Sequence, residues 1–332
     1  MGFFKGKKGV CNSFDDVNFR ATPEMINFYN AFGFLKIQGF FQNEYQMISE
    51  RFDHLMIDRF KEVNQPRNYL YPQFIDNDEK LSDLLILPKL NSLISALMGD
   101  DFVYKGSDGN IFNNPTPWHR DYLIRTRSAK VLIYLEHNDE RSGAIRMIPG
   151  THFVDDSYSS FVGDALTWPE PPVQGGFDEK KKFGVGHNPT VFGGNLQLPQ
   201  TVVSNAPGDL IIFNHNLVHC TNMPKKPKRR RLLGLHFCVN SKKMNSFDEV
   251  TQNEIRTLSL VEMEGFKLEK MFGPYVYNHK SSIVQRMIAP LKELSLKSEG
   301  PFNGLYQKQT DASIEFCNRL KSDRFKGLEY VN

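Results

Sequence analysis

Two short histidine segments, set a hundred positions apart, limit what this chain can become more than any other feature. The first is Trp118-His119-Arg120-Asp121; the second is His219, with Arg230 eleven positions further on. If His119, Asp121 and His219 act together, the fold must bring two distant segments to one point and hold them there. Two imidazoles and one carboxylate form the set that binds ferrous iron and leaves half of its octahedral shell open. A strand turns alternate side chains to one face, so His119 and Asp121 can aim at one ion while Arg120 turns away. The triplet alone is a weak signal, because many His-x-Asp triplets are surface accidents. Of the nine histidines, His54, His137, His187, His215, His236 and His279 carry no pattern and read as hydrogen-bonded turn or surface residues. His152 reads as closing the Pro149-Gly150-Thr151-His152 turn.

The scaffold reads as helices, then a β-rich core, then helices again. Residues 1–20 are polar and read as a loose arm. Residues 21–100 form a helical region packing on the core. Thr22-Pro23-Glu24 is a helix start, with a capping hydroxyl, proline in the first turn and an acid behind it; Gly33 stops that helix. Phe34 to Ile37 reads as a strand. A second helix opens at Asn43 with Met47, Ile48, Phe52, Leu55, Met56 and Phe60 at helical spacing, and a third runs from Pro88 to Met98. From 101 to 240 the texture becomes short β-like runs: Asn110–Asn113, Val131–Leu135, Ala144–Ile148, Thr201–Ser204, Leu210–Phe213 and Leu232–Val239. Such spacing predicts a barrel or sandwich. Residues 153–199, rich in Gly, Pro and aromatics, read as a lid-like insertion in which Phe153, Phe161, Trp168 and Phe192 either line an apolar pocket or pack the loop down. Residues 241–332 read as a C-terminal helical extension.

Composition narrows the classes. With 332 residues, 40% hydrophobic, the chain can bury a large core; a net charge of +3 gives no general case for nucleic-acid or membrane binding. Four cysteines without a CxxC pair indicate neither a disulfide framework nor a zinc ribbon. No apolar run reaches the ~20 residues of a membrane span. Met1 to Val10 is not followed by the apolar stretch of a secretory signal, and Gly6 stands where a myristoylation site needs Ser or Thr. The expectation is a cytoplasmic protein.

Arg230 opens a strand, Arg230 to Val239, after a loop containing Lys225, Lys226, Pro227 and Lys228. A strand pair joined by that loop sets His219 and Arg230 near each other. A guanidinium grips a carboxylate in two places. An acid held there that also reaches the metal has the length of a 2-oxo diacid such as 2-oxoglutarate. Thr221, two residues past His219, can offer its hydroxyl to the same carboxylate. Arg229 and Arg231 remain alternatives one position either side; otherwise they and the lysines read as a solvated basic loop.

The chain resembles the phytanoyl-CoA dioxygenase-like branch of the iron(II)/2-oxoglutarate oxygenases. The resemblance rests on Phe32-Gly33-Phe34; Trp118-His119-Arg120-Asp121; Ser142-Gly143-Ala144-Ile145-Arg146-Met147-Ile148-Pro149-Gly150-Thr151-His152; and Pro207-Gly208-Asp209-Leu210-Ile211-Ile212-Phe213 leading to His219 and Arg230. It covers residues 22–240. It implies a mainly β fold with flanking helices around a double-stranded β-helix, the cupin-like jelly roll. It implies iron(II) on His119, Asp121 and His219, 2-oxoglutarate clamped by Arg230 with Thr221 beside it, and O2 as oxidant. The second co-substrate contact carries no motif; Asn110, Leu132 and Tyr134 are candidates by strand face. The implied activity is oxidation of an unactivated C–H bond of a small molecule, by hydroxylation, desaturation or ring closure, with release of succinate and CO2. Relatives act on lipids, amino acids or secondary metabolites. Asp121 argues against halogenation, which needs a small residue there. The helical tail and the long lid depart from the family core, and oligomeric state is open.

Two other classes compete. Oxidation of a macromolecule would use the basic run Lys225–Arg231, but that run lies beside the proposed co-substrate site and has no second patch to extend it. Failure to bind DNA or RNA at low salt closes that reading. A non-catalytic jelly-roll binding protein would take up no iron and yield no succinate with any substrate.

Overall fold

The computed structural model describes residues 18–64, 68–112, 116–121, 126–154, 156–166, 200–221, 229–240 and 270–293. Local signals set the N-terminal elements. Thr22 Oγ1 accepts the Met25 N–H at 3.3 Å and caps helix α1 (Pro23–Phe32), which Gly33 ends in the left-handed conformation. Gly33 also lets His152 close against α1, since a Cβ there would lie 2.6 Å from the imidazole Nδ1. Strand β1 (Phe34–Ile37) follows. Helix α2 (Tyr45–Phe60) turns Ile48, Phe52, Leu55 and Met56 inward; it starts after the expected Asn43, with Glu44 at its cap and no side-chain bond there. Strand β2 (Tyr69–Pro72) and the one-turn helix α3 (Glu79–Ser82) were not expected; helix α4 (Pro88–Met98) lies where the periodicity predicts it.

The β-core comprises β3 (Phe102–Phe112), β4 (Thr116–His119), β5 (Ser128–Tyr134), β6 (Ile145–Met147), β7 (Thr201–Val203), β8 (Leu210–Asn214), β9 (His219–Thr221) and β10 (Arg230–Val239). They form two antiparallel sheets, ordered β1-β8-β5-β10-β3-β2 and β4-β9-β6-β7. From β3 onward the chain crosses from sheet to sheet, with β6 and β7 adjacent in the smaller one. This is the expected jelly roll. β3 begins eight residues before the expected Asn110, because Lys105, Ser107 and Asp108 break the apolar run that marks a strand in sequence.

The six-stranded sheet is buried on both faces. Ala129, Val131, Ile133, Leu135, Leu210, Ile212, Leu233, Leu235 and Phe237 face the helices in one cluster. Leu132, Tyr134, Ile211, Phe213 and Leu232 face the smaller sheet with Ile145, Met147 and Val203. The period of two separates the sets. Outside, Asp76 ties the C-terminal segment down: Tyr104 Oη and Ser107 Oγ donate to its Oδ1 at 2.7 and 3.1 Å, and the Gly273 N–H to Oδ2 at 3.2 Å. Helices α6 (Pro274–Tyr277) and α7 (Ser282–Ile288) of that segment bury Val276, Val284, Met287 and Ile288, whereas Ile283 is exposed.

Within the expected lid, residues 157–166 are helical, as the one described helix between β6 and β7. Trp168, Phe192, the lysines of the 225–228 loop, the arm before residue 18 and most of the C-terminal extension lie outside the described residues. Among the described residues no single helix is long and apolar enough to cross a membrane.

Candidate metal centre

The Trp-His-Arg-Asp segment sorts its side chains by turns. Trp118 is buried among Ile148, Val162, Val218 and Cys220, outside the smaller sheet. Arg120 reaches the same side and donates to the backbone oxygen and Oγ of Ser159, at 2.5 and 3.0 Å, on helix α5 (Ser157–Leu166). His119 and Asp121 are thereby left facing the barrel interior. Strand β4 ends at His119 and Asp121 lies in the bend that follows, so the pair is set by a strand end and a bend rather than by one continuous strand.

β4 pairs with β9 so that His119 lies opposite His219. Thr151, in the turn after β6, fixes the start of β9. Its Oγ1 donates to the Ile148 oxygen at 2.7 Å and accepts the Val218 N–H at 2.9 Å. The Gly-Asp turn before β8 is pinned in the same way. Asp209 accepts the N–H groups of Gly39 and Ala206, both at 2.8 Å, and pairs with Lys36 at 2.9 Å.

Asp121 Oδ1 lies 3.6 Å from His119 Nε2 and 3.7 Å from His219 Nε2, and the imidazole centroids are 4.2 Å apart. Among the described residues these three groups can hold a metal ion, with one ligand atom from each lying within 4.8 Å of the others. His219 Nδ1 donates to the Leu217 oxygen at 2.8 Å, which leaves Nε2 with its lone pair toward the cluster. Burial, and then His119, push the His219 pKa down to about 3, so the ring is neutral. Burial alone would raise the Asp121 pKa, but Lys130, His119 and His219 outweigh it and hold the carboxyl well below its usual range. Two imidazoles, that of His219 neutral, and an ionised carboxylate suit ferrous iron. Among the described residues Asp121 Oδ2 is buried and accepts no hydrogen bond.

Arg230, at the start of β10, is 1% exposed; its Nη1 donates to the Gly143 oxygen at 2.7 Å and its guanidinium lies 5.9 Å from the Phe112 ring centre. Arg231, the next residue, points to the helix side and binds Glu136, Asp53 and Ser49. Leu232 pairs with Tyr134 on one side and Asn110 on the other, placing those candidates in one row two residues along from Arg230. Tyr134 and Leu132 are buried in the inner cluster. Burial pushes the Tyr134 pKa up to about 12, against the opposing pull of Arg230 and Lys130. Asn110 Nδ2 donates to Asp108 Oδ2. Thr221 Oγ1 accepts the Thr116 N–H at 2.9 Å and shares a hydrogen bond with Thr116 Oγ1, so its hydroxyl also fastens β9 to β4.

A second polar group on the inner face carries no motif. Asp108 accepts from His236 Nε2, Lys130 Nζ lies 3.4 Å from Asp108 Oδ1, and His236 Nδ1 is hydrogen-bonded to His215 Nε2 at 3.0 Å. His215 and His236, read as turn or surface residues, are inside the barrel. Strand parity puts His236, six residues past Arg230, and Lys130, two before Leu132, on the inner face, but only the register sets them side by side.

The sequence profile of the phytanoyl-CoA dioxygenase (PhyH) family matches residues 29–232. The chain belongs to the phytanoyl-CoA dioxygenase family. It is thus of the non-haem iron(II)/2-oxoglutarate dioxygenase kind, with iron and 2-oxoglutarate as cofactor and co-substrate. No curated protein matches in sequence. Among solved structures, HygX from Streptomyces hygroscopicus, with nickel and 2-oxoglutarate bound, is 16% identical with a TM-score of 0.51, covering 67% of this chain and 88% of its own. The non-haem α-ketoglutarate-dependent carbocyclase SnoK from nogalamycin biosynthesis is 14% identical with a TM-score of 0.49, covering 66% and 84%. EctD from S. alaskensis, in its apo form, is 17% identical with a TM-score of 0.48, covering 67% and 79%. At these identities the HygX likeness bears on the fold alone.

Proposed function

We propose that this chain oxidises an unactivated C–H bond of a small molecule, with iron(II) held by His119, Asp121 and His219 and 2-oxoglutarate seated by Arg230. The observation that carries this reading is the approach of Asp121 Oδ1 to both Nε2 atoms, within 3.7 Å, across a strand pair that joins segments a hundred residues apart. When bound, iron, 2-oxoglutarate and O2 together supply the oxidising power, releasing succinate and CO2. HygX, of the same fold, binds nickel and 2-oxoglutarate.

The chain's own residues hold and exclude. His119 and His219 offer imidazole nitrogens, and Asp121 offers negative charge that stays ionised. Arg230 is a buried cation, and burial lowers its pKa against the opposing effect of Tyr134. A dicarboxylate is the complement to such a buried fork. Thr221 and Tyr134 supply hydroxyls beside it, Leu132 supplies apolar wall, and Asn110 stands in the same row as Tyr134. Phe213, its ring centre 4.6 Å from that of His219, keeps that side of the centre dry. Cytoplasmic residence fits Cys220 and Cys238, both buried and neither in a disulfide.

The test is conversion of 2-oxoglutarate to succinate by purified protein with added Fe(II), screened against a small-molecule panel. Substrate-dependent succinate that disappears on chelation supports the reading. Iron-independent succinate, or none with any compound, contradicts it.

A further inference from the structure

Taking His119, Asp121 and His219 as the ligand set proposed above, we propose that Lys130 is a positioning residue that restricts Asp121 to one-oxygen ligation of the metal. The two oxygens of Asp121 have different surroundings. Oδ1 faces both imidazoles, at 3.6 and 3.7 Å. Oδ2 lies 3.8 Å from Lys130 Nζ, is buried, and accepts no hydrogen bond among the described residues.

Lys130 is itself held in place. It projects inward from β5, opposite His236 on β10, and its Nζ is 3.4 Å from Asp108 Oδ1. Asp108 is in turn fixed by His236 Nε2 and Asn110 Nδ2, which both donate to it, and His236 leans on the buried His215 at 3.0 Å. Gly234 makes this possible. It pairs with Asp108 across β10 and β3, and a Cβ there would stand 2.7 Å from Asp108 Oδ1. Two histidines and an asparagine thus fix one aspartate, and the ammonium group that it holds faces the outer oxygen of the ligand.

The consequence is chemical. A carboxylate can bind an ion through one oxygen or chelate it through both, and chelation takes up a position that a bidentate co-substrate and O2 need. A fixed cation at Oδ2 draws that oxygen away from the metal and leaves Oδ1 to bind. Groups behind a ligand set its orientation and the affinity of the site.

The test uses the full chain with Co(II) as a redox-stable probe, read by calorimetric titration and by the cobalt ligand-field absorption. Lys130→Met keeps the side-chain length and removes the cation. It is expected to shift the Co(II) affinity about 10- to 100-fold and to change the absorption as Oδ2 becomes free to join the ligand set, while Lys130→Arg restores both in part. Asp108→Asn, which leaves Lys130 in place but loosens it, is expected to shift both in the same direction by less, and it decides the matter if Lys130→Met does not fold. A lysine that serves only as a counter-ion in the core would lower the melting temperature alone. Folded Lys130→Met, or failing that Asp108→Asn, binding Co(II) with wild-type affinity and spectrum overturns the proposal. A wild-type chain that takes up no cobalt, or an Asp121→Ala variant that binds it undiminished, instead refutes the ligand assignment and the proposal with it.

Discussion

The six-stranded sheet presents Val131, Ile133, Ile212, Leu233 and Leu235 to the helices on its outer face; one residue along, its inner face carries Asp108, Lys130, Arg230 and His236. Both layers also contain buried carboxyls, and those of the outer and inner layers behave oppositely. Asp76, in the outer layer, is surrounded by hydroxyls and a backbone N–H, and burial raises its pKa to about 6 despite them. Asp108 and Asp121 meet the same desolvation, yet Lys130 and the neighbouring histidines hold both below the usual range. Burial alone therefore does not decide whether a carboxylate can serve a metal; the cation built beside it does. The outer layer spends its polar group on tying down a chain segment, and the inner layer keeps its own charged.

If that division is right, substitutions on the two faces separate in what they change. Arg230→Ala should raise the KM for 2-oxoglutarate by the equivalent of about 2–5 kcal/mol, as expected when one partner of a buried, hydrogen-bonded charge pair is truncated. Arg230→Lys should recover only part, because a point charge lacks the fork. An unchanged KM in initial-rate assays would move the clamp to Arg229 or remove it. Ile133→Ala, one strand over and facing the helices, should cost about 2–5 kcal/mol of folding stability in urea melts. The same variant should keep the wild-type KM for 2-oxoglutarate in its folded fraction.

The carboxyls give a pH test. Between the ordinary pKa of 3.8 and about 6, the unfolded chain has lost the Asp76 proton while the folded chain keeps it. Folding then binds a proton, so the Asp76 contribution falls as pH rises through that window, by up to about 3 kcal/mol. Asp76→Asn should lose this slope in melts run across the window; an identical slope in the variant would contradict the raised pKa. A smaller effect separates two glycines on neighbouring strands. Gly109→Ala would set a Cβ 2.3 Å from the Phe74 ring in the outer layer and should cost about 1–3 kcal/mol of stability. Gly234→Ala presses on Asp108 instead, and its main effect should appear in metal affinity.

The same two faces explain what could be read from sequence. Helices α1 and α4 were legible because proline starts and glycine stops are local. β5 and β8 were legible as short apolar runs, although burial of both faces hides their alternation. β3 was half missed, since Lys105, Ser107 and Asp108 look like loop residues until the opposite strand is known. The proposed metal ligands and Arg230, the proposed clamp, stood out through motif and spacing. Lys130, Asp108, His215 and His236 did not, because their partners lie on other strands and only the register, Lys130 opposite His236, brings them together. The role given to strand β4 was too simple, as Asp121 reaches the cluster from a bend held by Arg120 on α5.

Titration of metal-free protein with Fe(II) in the absence of oxygen, at saturating 2-oxoglutarate, reports the ferrous chelate by its visible charge-transfer absorption. One equivalent of iron per chain should complete the band, and folded Asp121→Ala and His219→Ala variants should lose it. A band that reaches full strength in those variants, or a wild-type titration with no endpoint at one equivalent, would show that the three side chains do not share an iron.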